Sequence, residues 1–94
     1  MKTLVYGEKS LLTEFKLEKC FTLPRHAHEH EQTGYLVSGE IKLTIGEITC
    51  DVLPGDGWCI AGGVEHEAKI ISDSVAIEVF SPVREDYLPQ SKTL

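Results

Sequence analysis

At 94 residues the chain has room for one domain and one hydrophobic core, which excludes a two-domain arrangement. With 41% hydrophobic and 26% charged residues it has the composition of a folding sequence, far from the polarity of disordered ones. A formal charge of −6 and nine scattered Lys and Arg residues leave no basic stripe for nucleic acid or an anionic membrane.

The opening residues Met1 to Glu8 lack the apolar stretch of about 7–15 residues that a secretory signal needs. No later run approaches the roughly 20 apolar residues of a spanning helix, so a cytoplasmic location is expected. From Leu11 to Phe21 the chain alternates, with Leu11, Phe15, Leu17 and Phe21 on one parity and Glu14, Lys16 and Glu18 on the other. That period of two predicts a strand. A second apolar run, Gly34 to Val37, is followed by a break at Ser38-Gly39 and then by Glu40 to Ile45.

Past Gly46-Glu47 the apolar residues move to even positions, Ile48, Cys50 and Val52, which predicts a hairpin with glycine at the positive-φ position of a type II′ turn. Pro54-Gly55-Asp56-Gly57 and Gly62-Gly63 read as further turns. Val75 to Phe80 is the last strand, closed by Ser81-Pro82 because proline has no N–H to give to a ladder. Cys20, Cys50 and Cys59 are odd in number and lack Cys-x-x-Cys spacing, so they are expected as reduced thiols within strands, acting as small hydrophobes. Short strands, glycine-rich turns and no helical period predict an all-β sandwich or barrel. The expected organisation is one domain over residues 1–94, with a core of about residues 10–81 and a loose tail at 82–94.

Three of the four histidines fall on alternate positions, His26, His28 and His30, followed by Gln32. Alternate residues of an extended segment face one way, so two imidazoles there can reach one ion. Imidazole suits zinc, copper, iron and nickel, and the Gln32 carbonyl would add a harder donor. Taken alone, His-x-His is better described as a solvated edge strand whose histidines happen to lie nearby. The fourth histidine, His66, follows the Gly62-Gly63 turn.

The stretch from His26 to Gly39 resembles the first cupin motif, His-x-His, a short spacer, Glu, six residues, Gly, with Gln32 in place of the usual glutamate. Gly55 to His66 resembles the second motif, with Gly55, Gly63 and His66 matching and Ala61 replacing the usual proline. The resemblance implies a double-stranded β-helix, the jelly-roll barrel of the cupins, usually a homodimer. It implies one divalent transition metal (Ni, Zn, Mn or Fe) on His26, His28, Gln32 and His66. Gly39, Gly55 and Gly63 are then turn residues.

Within the cupins, the segments His26-Ala27-His28-Glu29-His30-Glu31-Gln32 and Phe80-Ser81-Pro82-Val83-Arg84-Glu85-Asp86 are similar to the pectin-degradation cupins. Those proteins convert unsaturated uronates to open-chain keto acids. The resemblance places Glu78 and Phe80 as candidate catalytic residues, Glu78 being one methylene longer than the aspartate usual there and Glu29 replacing a proline. Glu78 and Phe80 share parity on the last strand, with Val75, Ile77 and Val79 on the other face.

A centre of three neutral imidazoles and one amide leaves the metal's charge uncompensated, so it favours a small anionic sugar acid as substrate, with Glu78 as the proton-transfer group. Two other readings stand beside this one: a non-catalytic metal- or ligand-binding cupin, and a non-haem iron dioxygenase, which a neutral Gln32 suits less well. His30 has no counterpart in the motif. Trp58 and Tyr35 are expected to fill the barrel. Arg84 is expected either to pair with a carboxylate or to lie exposed.

Overall fold

The computed structural model describes residues 1–88. Seven strands follow one another: β1 (Lys2–Tyr6), β2 (Leu11–Leu17), β3 (Thr22–His26), β4 (Glu31–Ile45), β5 (Ile48–Val52), β6 (Gly57–Ile60) and β7 (His66–Ser81). A short 3-10 turn at Glu85–Tyr87 ends the described chain. All strand pairs are antiparallel.

The barrel is organised by its two long strands. The first half of β4 pairs with β6 and with the second half of β7, while the second half of β4 pairs with β5 and with the first half of β7. The outer end of β7 also carries β2 and then β1, and its inner end carries β3. Two sheets therefore share β4 and β7, each of which bends as it passes from one to the other. This is the expected all-β jelly roll.

The expected break at Ser38-Gly39 is that bend. The β4–β7 register shifts between Leu36 and Ile41, and Gly39 adopts φ +94°. A Cβ there would overlap Ser74 Oγ and press on the Asp73 carbonyl, so only glycine lets the two bends cross. Ser74 Oγ accepts the Glu40 N–H at 3.1 Å and donates to the Ser72 carbonyl at 2.7 Å.

On β2 the inward parity is Leu11, Thr13, Phe15 and Leu17, as the alternation predicts. Phe21 departs from it. Pairing with β7 stops at Leu17↔Ser74, where β7 bends away; the chain then turns through Cys20 (φ +71°), leaving Phe21 half exposed. The two-residue hairpin closes at Ile45↔Ile48 with Gly46 at φ +60°; Glu47 has negative φ, as a type II′ turn requires.

The core consists of Leu36, Ile41, Leu43, Val52, Ala68, Ile70 and Ala76, with Phe15, Leu17, Ile45 and Trp58 packed around it. Trp58 lies so close over Gly34 that a Cβ at that position would overlap the indole. Tyr35 corrects the expectation that it fills the barrel: it shares the outward parity with Val37 and is 50% exposed. All three cysteines are free, with Cys50 and Cys59 in strands as expected; the correction is that all three are exposed and not packed as small hydrophobes, and that Cys20 lies in a turn.

Strand structure extends beyond the expected core of residues 10–81, since β1 pairs with β2 over Lys2↔Glu14 to Tyr6↔Leu11. Residues 89–94 of the expected tail lie outside the described residues. Its first part is packed, with Tyr87 edge-on to Phe80 and Phe15 at 5.5 and 6.1 Å, and its carbonyl accepting the Thr3 hydroxyl.

Candidate metal centre

His26 is the last residue of β3 and pairs with His66, the first residue of β7. His28 stands in the connection 27–30, outside any strand, and Gln32 is the second residue of β4. The four side chains therefore converge from strand ends and a link, which corrects the picture of imidazoles spaced along one extended strand. Three histidine ligand atoms lie within 4.8 Å of one another. The ring centroids are 4.2 Å apart for His26–His66, 5.1 Å for His28–His66 and 5.8 Å for His26–His28.

Each ring is anchored by a backbone carbonyl. Nδ1 of His26, His28 and His66 faces the carbonyl of Pro24, His30 and Val64 at 2.8, 3.1 and 2.9 Å. A carbonyl only accepts, so Nδ1 of His26 and His66 carries the proton and Nε2 presents a lone pair, whereas His28 faces an acceptor oxygen on both sides. His66 Nε2 is buried without a partner among the described residues, and the residue is 1% exposed. His28 Nε2 faces Gln32 Oε1 at 3.0 Å. With the proton on Nδ1 toward the His30 carbonyl, Nε2 and Oε1 are both acceptors that a shared cation would satisfy. This donor set of imidazole nitrogens and an amide oxygen fits a divalent transition metal.

Gln32 is oriented by its other end, where its amide N–H donates to Glu78 Oε1 at 2.6 Å. A glutamate at position 32 would set two carboxylates against each other; the amide instead turns its oxygen to His28 and its nitrogen to Glu78. Burial raises the Glu78 pKa to about 7, against the downward pull of the Gln32 and Trp58 donors and the Arg84 charge. Burial is also the main cause that lowers the pKa values of His28 and His66, keeping them in the neutral form that binds a metal.

Phe80, 1% exposed, presents its ring to His28 at 6.0 Å, so it forms a wall beside that ligand. Arg84 lies over the rings of Tyr87 and Phe80, at 4.0 and 5.1 Å, and pairs with Asp86 at 2.8 Å. His30 is outside the cluster of three; its carbonyl serves His28, and its own Nδ1 is buried without a partner.

The Gly62-Gly63 turn read from the sequence braces the histidine link, while Arg25 was missed. Gly63 N–H donates to the His28 carbonyl at 2.8 Å, and Gly62 lies so close to the Glu29 carbonyl that a Cβ would overlap it. Arg25 ties three segments together, reaching Glu65 Oε1 at 3.4 Å, Glu67 Oε1 at 3.3 Å and the Gly46 carbonyl at 2.9 Å. A signal for it was present: Arg25 precedes His26, and Glu65 and Glu67 flank His66.

A jelly roll of this kind, with histidines gathered at the end of its barrel, defines a class of small metal-binding β-barrel proteins. The Cupin domain family matches residues 14–81, and the chain belongs to that family. Solved structures similar to it include KdgF from Halomonas sp., 28% identical over 93% of this chain and 81% of that one, with a TM-score of 0.88. An RmlC-like cupin from Shewanella frigidimarina NCIMB 400 is 27% identical over 92% of this chain and 78% of that one, TM-score 0.87. At 17% identity, an RmlC-like cupin from Desulfovibrio desulfuricans shares the fold, with a TM-score of 0.76 over 88% of this chain and 81% of that one. No curated protein matches the sequence. No helix among the described residues is long and apolar enough to cross a membrane.

Proposed function

We propose that this cupin holds one divalent first-row transition metal on His26, His28, Gln32 and His66 and converts a small anionic sugar acid, linearising an unsaturated uronate. The observation that carries the reading is the Glu78 carboxylate, held 2.6 Å from the amide of Gln32 beside the proposed centre. A carboxyl group so placed can take and return a proton, which is what a general acid–base step needs. Similarity to KdgF from Halomonas sp. and to the pectin-degradation cupins supports the choice of substrate.

The bound metal supplies Lewis acidity toward the carboxylate and adjacent oxygens of the substrate. The remaining work is proton transfer. Loss of the proton from the anomeric hydroxyl forms the aldehyde as the ring C–O bond breaks, leaving the ring oxygen as an enolate; the same proton delivered to the former alkene carbon completes the ketone. Composition is unchanged, and one carboxyl group can serve both transfers. Glu78 is that group, and Phe80 shields the site beside His28.

We further propose a homodimer. The outer edge of β1 has no strand partner among the described residues, and Leu4, Val5 and Tyr6 are exposed along it. In the test of function, wild type contains about one equivalent of metal and accelerates loss of the ultraviolet absorbance of an unsaturated uronate. Glu78→Gln keeps the metal and loses roughly 100-fold or more of the rate. Metal-loaded wild type that leaves the spontaneous rate unchanged removes the catalytic reading and leaves a binding cupin.

A further inference from the structure

The strands β2 and β3 each pair with β7, β2 as far as Leu17↔Ser74 and β3 from Thr22↔Lys69, and among the described residues not with each other. The link between them is tied by its backbone: Cys20 N–H donates to the Ile70 carbonyl at 2.8 Å, and Ile70 N–H to the Phe21 carbonyl at 2.9 Å. Its side chains are held less. Phe21 and Leu23 are 49% and 36% exposed although both line the barrel interior. Inside this seam lies a cavity of about 100 Å³, outside it a groove of about 520 Å³, and Phe15, Leu17 and Phe21 line both. The cavity wall is apolar except where Gln32, Trp58, His66 and Glu78 back it onto the proposed centre. The groove carries Lys16 and Lys19 against one carboxylate, Glu18, so a chain of net charge −6 is locally positive here. The Asp73 carboxylate accepts the Lys19 N–H at 2.9 Å and is thereby engaged.

We propose that this seam is the mouth of a second ligand site, one that takes a short unbranched aliphatic carboxylate. At about 30 Å³ for a group the size of water, the cavity holds roughly three or four carbons of the chain. Their burial drives binding, while the carboxylate stays in the groove on Lys16 and Lys19. Phe21 is the gate, since its ring can change rotamer into water without breaking a backbone bond. The proposed metal is not needed for this site: the acid enters through the side of the barrel and its head stays outside.

The test uses the purified full chain with butanoate, hexanoate and octanoate as probes and hexylamine as the control for head charge, binding being followed by NMR. Affinity rises roughly 15-fold from butanoate to hexanoate, about fourfold per buried methylene, and octanoate gains less than about fourfold more because the cavity is full. Hexanoate moves the Phe21 and Leu23 signals and slows alkylation of Cys20, which lines the groove, while Cys50 and Cys59 react as before. Lys16→Glu combined with Lys19→Glu, both on the surface, weakens hexanoate about fivefold and does not weaken hexylamine. Ala76→Leu narrows the cavity and removes the dependence on chain length. If Ala76→Leu does not fold, the lysine variant and the Cys20 readout still decide. Equal affinity for butanoate and hexanoate, hexylamine binding as tightly as hexanoate, an unprotected Cys20, or binding of none of the acids overturns the proposal. Binding that moves the His26 and His28 ring signals and leaves Phe21 unmoved puts the acid at the proposed metal centre and overturns it too.

Discussion

Two halves of the proposed site are built in different ways. Gln32, Glu78 and Phe80 lie inside the β4–β7 ladder, where Gln32 pairs with Phe80 and Gly34 with Glu78, so backbone hydrogen bonds on both sides set their positions. His26, His28 and His66 stand at two strand ends and in a link, and the ladder irregularity between Leu23 and His26 leaves regular pairing only at the edge. What holds this second half is a set of local braces: Gly63 on His28, Gly62 under Glu29, and Arg25 across Glu65, Glu67 and Gly46. The ladder half can lose a side chain without moving its neighbours, whereas the histidine half depends on contacts that a single substitution removes.

The sharpest way to break this contrast is Gly62→Val. Its Cβ overlaps the Glu29 carbonyl, so the link carrying His28 must shift, at a cost of about 1–3 kcal/mol of stability together with loss of stoichiometric metal binding. Thermal melts and metal titration check both. Full metal affinity in a folded Gly62→Val protein ends the claim that the loop braces shape the centre.

The ladder half is tested by pH. In the metal-free protein Glu78 has a pKa of about 7 when folded and near 4.5 when unfolded. The folded state thus binds the extra proton between these values, and the contribution of Glu78 to stability is full below pH 4.5, falls as pH rises to about 7, and is flat above. The drop is about 3 kcal/mol. His28 and His66, lowered by burial, act in the opposite sense, so the reading is the difference between wild type and Glu78→Gln in denaturant melts across this range. Parallel curves for the two proteins refute a buried, titrating carboxyl.

Arg25→Ala gives the smallest effect. Its ion pairs are exposed, so stability changes by less than about 1 kcal/mol. Metal affinity falls about tenfold, as for other groups that orient ligands without touching the ion. Added salt weakens metal binding in wild type more than in the variant. Unchanged affinity with the same salt response shows that Arg25 is a surface residue and nothing more.

Much of this architecture was legible in the residues. Alternation from Leu11 to Leu17, the Gly46-Glu47 hairpin and the end of the last strand at Ser81 follow from period-two patterning and turn chemistry, which are local. The histidines and Gln32 were named by their spacing and by resemblance to the cupin motifs. The site was less legible in its geometry. Phe21 kept the strand parity yet left the strand, because β7 bends at its partner. Tyr35, an aromatic in an apolar run, faces outward because Gly34 makes room for Trp58 on the inner side.

By itself the sequence determined the strand-rich class, the turns, and which side chains are able to bind a metal, since periodicity and donor chemistry belong to each segment alone. Only the tertiary structure decided that His66 meets His26, that Gln32 turns its amide toward Glu78, and that Arg25, Gly62 and Gly63 hold the link. Those outcomes depend on register between strands far apart in the chain, and register is set by the bends of β4 and β7, not by any one segment.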